Sequence, residues 1–255
     1  MYFRPCIDLH EGKVKQIIGS SLRDNKSPRT NFIADMPASY YAEKYQSDSL
    51  SGGHLIMLGP NNEEAAAEAM KAYPGGLQIG GGINLENAPD WLDAGASHLI
   101  VTSFVFHDGQ INWGNLKQLS STVGREHLVL DLSCKKENSF FRIMTERWQS
   151  PTKVTITKDT LKQLAEYCNE FLIHATDVEG KQQGINSELV RLLGECTPIP
   201  TTYAGGVRSQ VDIDQISKLG LGKIDFTVGS ALDIFGGKTL NYSDLANRYH
   251  PIKNR

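Results

Sequence analysis

The chain has 255 residues, 40% of them hydrophobic and 22% charged, with a formal net charge of -3. That length and apolar content supply a sizeable core and fit one α/β barrel domain spanning 1–255. The acidic balance, without any run of Lys and Arg, argues against a nucleic-acid or membrane-surface role; an anionic small molecule, held by local amides, stays open.

Short apolar runs predict strands at 2–7, 54–57, 77–79, 98–101, 127–132, 171–174, 201–203 and 224–228. Between them, helical periodicity predicts helices at 35–46, 62–72, 85–94, 112–121, 158–168, 187–194 and 211–219, with a last one near 241–248. Asp159 near a start and Gly95 and Gly220 just past stops suit helix ends. Regular strand–helix alternation favours a parallel sheet, and eight such units predict a closed (β/α)8 TIM barrel. Two stretches, 19–31 and 138–153, fit this pattern poorly and read as long loops, candidate lids on the catalytic face.

The chain also repeats itself. GGGINLENAPDWLDAGASHLIVTS from Gly80 and AGGVRSQVDIDQISKLGLGKIDFTVGS from Ala204 share one plan: a glycine turn, an amphipathic helix, a short strand and a hydroxylated exit. PCIDLHEGKVKQI from Pro5 has its counterpart in LVLDLSCKKENSFFRI from Leu128, and the offsets agree, Asp8 to Gly81 and Asp131 to Gly205. Two half-barrels follow, roughly 1–123 and 124–255, in one fused core without a Pro- or Ser-rich linker.

Asp8 and Asp131 end the first and fifth predicted strands, so a barrel sets them across its mouth from each other. One carboxyl there can take a proton from a substrate while the other gives one, each worth about 10² to 10⁴ in rate. The alternative is that each merely caps a strand end through local hydrogen bonds. Glycine turns before helices let backbone amides reach a phosphate, which nominates Gly81, Gly82, Thr102 and Ser103 in one half and Gly205, Gly206, Gly229 and Ser230 in the other. Thr176, Asp177 and Glu179 follow the sixth strand and are further candidates, as is Arg208 for a phosphate. Trp148 is either a stacking lid over an aromatic ligand or a packing residue of its loop. The histidines show no ligand spacing, so no metal is expected. Cys6, Cys134, Cys168 and Cys196 form no CxxC pair and read as reduced thiols. A charged N-terminus and the lack of a long apolar stretch predict a soluble cytoplasmic protein.

RPCIDLHEGKVKQ at Arg4, QIGGGI at Gln78, LVLDLS at Leu128, IHATDVEG at Ile173, YAGGV at Tyr203 and VGSALDIFGG at Val228 together resemble the phosphoribosyl-formimino-aminoimidazole-carboxamide ribotide isomerases of histidine biosynthesis, in their eukaryotic, fungal-like branch. The resemblance runs through nearly the whole chain. It implies an Amadori rearrangement of a ribotide with two phosphates, without a cofactor or obligate protein partner, in which Asp8 is the base, Asp131 the acid and Thr176 an assistant. Two departures from the bacterial pattern stand out: Asn84 replaces an Arg after the first glycine turn, and the loop after Thr176 is shortened, leaving Glu179 and Gly180 as the nearest match. If the family's loop acid is the true one, Glu179 takes the role from Asp131. The related cyclase, which needs an ammonia source, and a non-catalytic phosphate-metabolite binder are the rival readings.

Overall fold

Strand residues here alternate between a face that looks into a closed ring and one that packs on helices, which builds the barrel in layers. The structure, a computed structural model, describes residues 1–18, 29–145, 148, 150–178 and 183–250. Eight parallel strands form the ring: β1 (Cys6–His10), β2 (Gly53–Met57), β3 (Leu77–Gly80), β4 (His98–Val101), β5 (Leu128–Asp131), β6 (Glu170–His174), β7 (Thr201–Ala204) and β8 (Ile224–Phe226). Each pairs with the next in chain order. Closure comes from the segment before β1: the Arg4 amide donates to the Phe226 carbonyl at 2.8 Å and the Phe226 amide to the Tyr2 carbonyl at 3.1 Å.

Helices α1 (Ala38–Ser47), α2 (Glu63–Ala72), α3 (Ala88–Asp93), α4 (Trp113–Val123), α5 (Lys158–Leu164), α6 (Ser187–Cys196), α7 (Gln210–Leu219) and α8 (Tyr242–Tyr249) alternate with the strands to complete a (β/α)8 TIM barrel. Their apolar stripes face the ring; α6 buries Leu189, Val190 and Leu193 while Arg191 and Glu195 stay outside. Five starts are held by a side chain that accepts an otherwise unpaired helix amide: Asn112, Thr157, Asn186, Ser209 and Asn241. Each such cap stabilises its helix by about 1 kcal/mol.

Inside the ring, the floor is polar. Gln78 from β3 and Thr202 from β7 both donate to the buried Glu170 of β6, each at 2.9 Å. Above it lies an apolar layer of Ile100, Val129, Leu172 and Ala204, with Ile56 against it. One step further along the same inward positions come Thr102, Asp131 and His174, at the C-terminal mouth.

The strand and helix order matches the sequence expectation, with ends differing by a few residues. The two stretches read as loops differ more. Residues Lys13–Ile17 form a strand antiparallel to β1, and Thr30–Ile33 pair with it in turn. In the other half, Cys134–Glu137, Phe140–Thr145 and Ser150–Thr155 make a three-stranded antiparallel sheet. Burial does not alternate along these ribbons: Val14, Lys15, Gln16 and Ile17 are all buried, as are Ile143, Met144 and Thr145, so a period of two is weak in the sequence. The rest of the first expected loop, residues 19–28, lies outside the described residues.

Candidate active site

The mouth of the barrel opens into a cavity of about 590 Å³. Asp8 reaches it from β1 and Asp131 from β5, strands on opposite sides of an eight-membered ring. Asp8 Oδ2 accepts a hydrogen bond from Gln16 Nε2 at 3.3 Å, across the hairpin that follows β1.

Asp131 is held by three groups. Ser133 Oγ donates to Oδ1 at 2.8 Å, Thr102 Oγ1 to Oδ2 at 3.3 Å, and His174 Nδ1 stands 3.3 Å from Oδ1. Burial alone pushes this carboxyl up, but the charge and hydrogen bond of His174, with the two hydroxyls, outweigh it and hold the group below its ordinary value. His174 lines the cavity between Asp131, the Trp148 ring at 5.8 Å and the His54 ring at 6.2 Å. His54, on the next inward layer of β2, is held neutral: burial, then the neighbouring His174, lowers it to about 3.

The two glycine units meet the same cavity from opposite flanks, Gly81 and Gly82 with Thr102 and Ser103, and Gly205 and Gly206 with Gly229 and Ser230. Their backbones match: φ is +99° and +74° at Gly81 and Gly82, and +120° and +72° at Gly205 and Gly206. Side chains are excluded for a second reason, because a Cβ on residue 81 would strike the Met57 carbonyl and one on residue 206 the Gly184 carbonyl. The residue two beyond each pair donates its amide to a side chain of the coming helix: Asn84 to Asn87 Oδ1 at 2.9 Å, Arg208 to Asp212 Oδ2 at 3.0 Å.

Several candidates sit elsewhere. The Arg208 guanidinium is half exposed and pairs with Asp212 at 3.4 Å, away from the cavity wall. Thr176 donates from Oγ1 to the Cys134 carbonyl at 3.1 Å, tying β6 to the hairpin sheet, and does not line the cavity. Asp177 accepts from Asn186 Nδ2 at 3.3 Å, below the next helix. Trp148 lines the cavity from a backbone position at φ +66°. Glu179 and Gly180 lie outside the described residues. Among the described lining residues none is Lys or Arg, so the groups offered to an anion there are amides, hydroxyls and imidazole. No group of three or more His, Cys, Asp or Glu among the described residues has metal-binding geometry.

Gln16, His54 and His174 are missing from the sequence candidates. The signal for His174 was present in EFLIH: if Leu172 faces inward, so does His174. Gln16 required knowing that the hairpin folds back over β1.

A (β/α)8 barrel with facing carboxylates and twinned glycine turns at its C-terminal mouth defines a class of phosphate-metabolite enzymes. Residues 3–238 match the profile of the histidine biosynthesis protein family. The chain belongs to that family. It is 52% identical over 250 residues to a chloroplastic protein of Medicago truncatula named as a 1-(5-phosphoribosyl)-5-((5-phosphoribosylamino)methylideneamino)imidazole-4-carboxamide isomerase, covering 95% of this chain and 80% of that one. Proteins of the same isomerase name from Neurospora crassa and Saccharomyces cerevisiae are 47% and 44% identical, covering 92% and 95% of this chain and 93% and 95% of theirs. No helix among the described residues is long and apolar enough to cross a membrane.

Proposed function

We infer that this chain is the isomerase that converts an aminoaldose ribotide with two phosphates into its aminoketose in histidine biosynthesis. The observation that carries the reading is the pair of carboxyl groups, Asp8 and Asp131, facing one cavity from opposite strands in a chain so similar to proteins named for this isomerisation.

In the reaction, a proton given to the ribose ring oxygen lets the C1′–O bond break, and the amine nitrogen closes a C=N bond at C1′. Asp8 then takes the C2′ proton to give an enolamine. Proton return to C1′ and loss of the C2′ hydroxyl proton leave the ketone, with no net proton change. In this reading the proton for the ring oxygen comes from the Asp131 side of the cavity. The glycine units hold one phosphate each on backbone amides, helped by Thr102 and Ser103 on one side and Gly229 and Ser230 on the other. Trp148 closes over the ligand's imidazole ring. Thr176 acts at one remove, by anchoring the hairpin sheet that carries Trp148 to β6.

Residues 1–123 and 124–255 are the two halves of this one barrel domain, and the matched backbone angles at the glycine turns support their common plan. The partner is the small ribotide, and the cytoplasm is the proposed compartment. The test is to incubate purified protein with the aminoaldose ribotide, without ammonia, and follow conversion by absorbance. Turnover is expected. Tight binding without turnover would favour a metabolite binder, and consumption of the aminoketose with ammonia, but not of the aminoaldose, would favour the cyclase.

A further inference from the structure

The isomerase reading gives Asp131 the task of donating a proton, yet its surroundings suit an anion. Both carboxylate oxygens face donors, Ser133 and His174 at Oδ1 and Thr102 at Oδ2. A carboxylate so held is charged at neutral pH and has no proton to give.

The group beside it does have a place for one. His174 Nδ1 meets Asp131 Oδ1 at 3.3 Å, with side chains only 13% and 14% exposed. The Trp148 ring lies 5.8 Å from the imidazole, tilted by 41°. Among the described residues, the titratable groups that face His174 include Asp131 from β5 and His54 from β2, with Asp8 on the far side of the cavity. His54 is buried and neutral, so it neither competes for the proton nor repels an imidazolium.

We propose that the acid of the ring-opening step is an Asp131–His174 pair in which the imidazole stores the proton and the carboxylate orients it, rather than the Asp131 carboxyl alone. This rests on the isomerase reading. In the forward step the pair gives one proton to the ribose ring oxygen as the C1′–O bond breaks and its electrons move to that oxygen. The pair regains one when the C2′ hydroxyl loses its proton on ketone formation. His174 is thereby the proton store and Asp131 its orienting partner, and the reaction draws on no other reagent.

The discriminating variant is His174→Asn, whose amide N–H replaces the Nδ1 donor to Asp131 but cannot be a proton store. Its kcat is expected to fall on the order of 10²-fold with KM changed less than about threefold, the pattern of a lost transition-state role. Wild-type kcat is expected to fall at high pH, as the imidazolium loses its proton, and that fall should be absent from the variant's profile. A variant within about threefold of wild type, keeping that fall, would overturn the proposal.

A second measurement needs no turnover. NMR titration of the histidine rings in the folded wild-type protein, assigned with His174→Asn, should show His174 still protonated near neutral pH and losing that proton more easily in Asp131→Asn. A His174 ring neutral already at about pH 6 overturns the proposal. A wild-type protein with no isomerase activity, but with the expected titration, overturns the isomerase reading and leaves the pair standing.

Discussion

Gln16 and Asp8 are joined across the turn after β1, Gln16 Nε2 donating to Asp8 Oδ2 at 3.3 Å, and the other end of the same amide rests against Gly229 in the loop after β8, across the barrel seam. A Cβ at 229 would collide with Gln16 Oε1. The second phosphate grip and the base are thus coupled through one side chain. Gln16→Ala is expected to lower kcat by about tenfold or more, the cost of a hydrogen bond to a charged group, with an unchanged melting temperature. Gly229→Ala should lower kcat in the same direction while also raising KM; steady-state kinetics on both variants checks the coupling.

Asp8→Asn keeps the shape and the contact with Gln16 but removes the base. Turnover should drop by about 10² or more while ribotide affinity, measured by calorimetry, stays near wild type. A variant that keeps more than about a tenth of the rate contradicts the role.

The glycine turns offer a paired test. Gly81→Val and Gly206→Val each place a Cβ against a backbone carbonyl at a positive φ, a strain of about 1–3 kcal/mol. Each should raise KM strongly, and each should weaken binding of one phosphate end, read out by competition with monophosphate fragments of the ligand. Equal loss for both fragments in both variants would argue against one grip per phosphate.

Acid stability separates two buried groups of opposite sign. Burial raises Glu170, although Arg4, Thr202 and Gln78 pull it down, so the native state binds its proton more tightly than the unfolded chain. Its contribution is therefore fullest below the unfolded value and is lost as pH rises through the raised native one. His54 is the reverse: lowered to about 3 from 6.5, it favours the native state above 6.5 and loses that contribution as pH falls toward 3. Urea unfolding between pH 4 and 8 should show Glu170→Gln gaining relative to wild type as pH rises. His54→Gln should lose less stability than wild type on acidification.

The ring itself was legible because its signals are local. Apolar runs of four or five residues, helix caps and glycine turns depend on near neighbours, and β4 begins and ends where the sequence predicts it. The repeat carried more, since matched offsets linked Asp8 with Gly81 and Asp131 with Gly205 across most of each half.

The folded ring settled which side chains meet, in one case within a single helical turn and in others across segments far apart in the chain. Arg208 turned from the cavity to pair with Asp212, four residues on along α7, because that carboxylate already accepts the Arg208 amide. Thr176 turned to the Cys134 carbonyl, a partner 42 residues away. His174 became a neighbour of Asp131 only when β6 paired with β5 in a register that sets Leu172 opposite Asp131. Residue order sets which side chains can point inward; strand register and ring closure set which of them meet, and acid–base chemistry depends on that meeting.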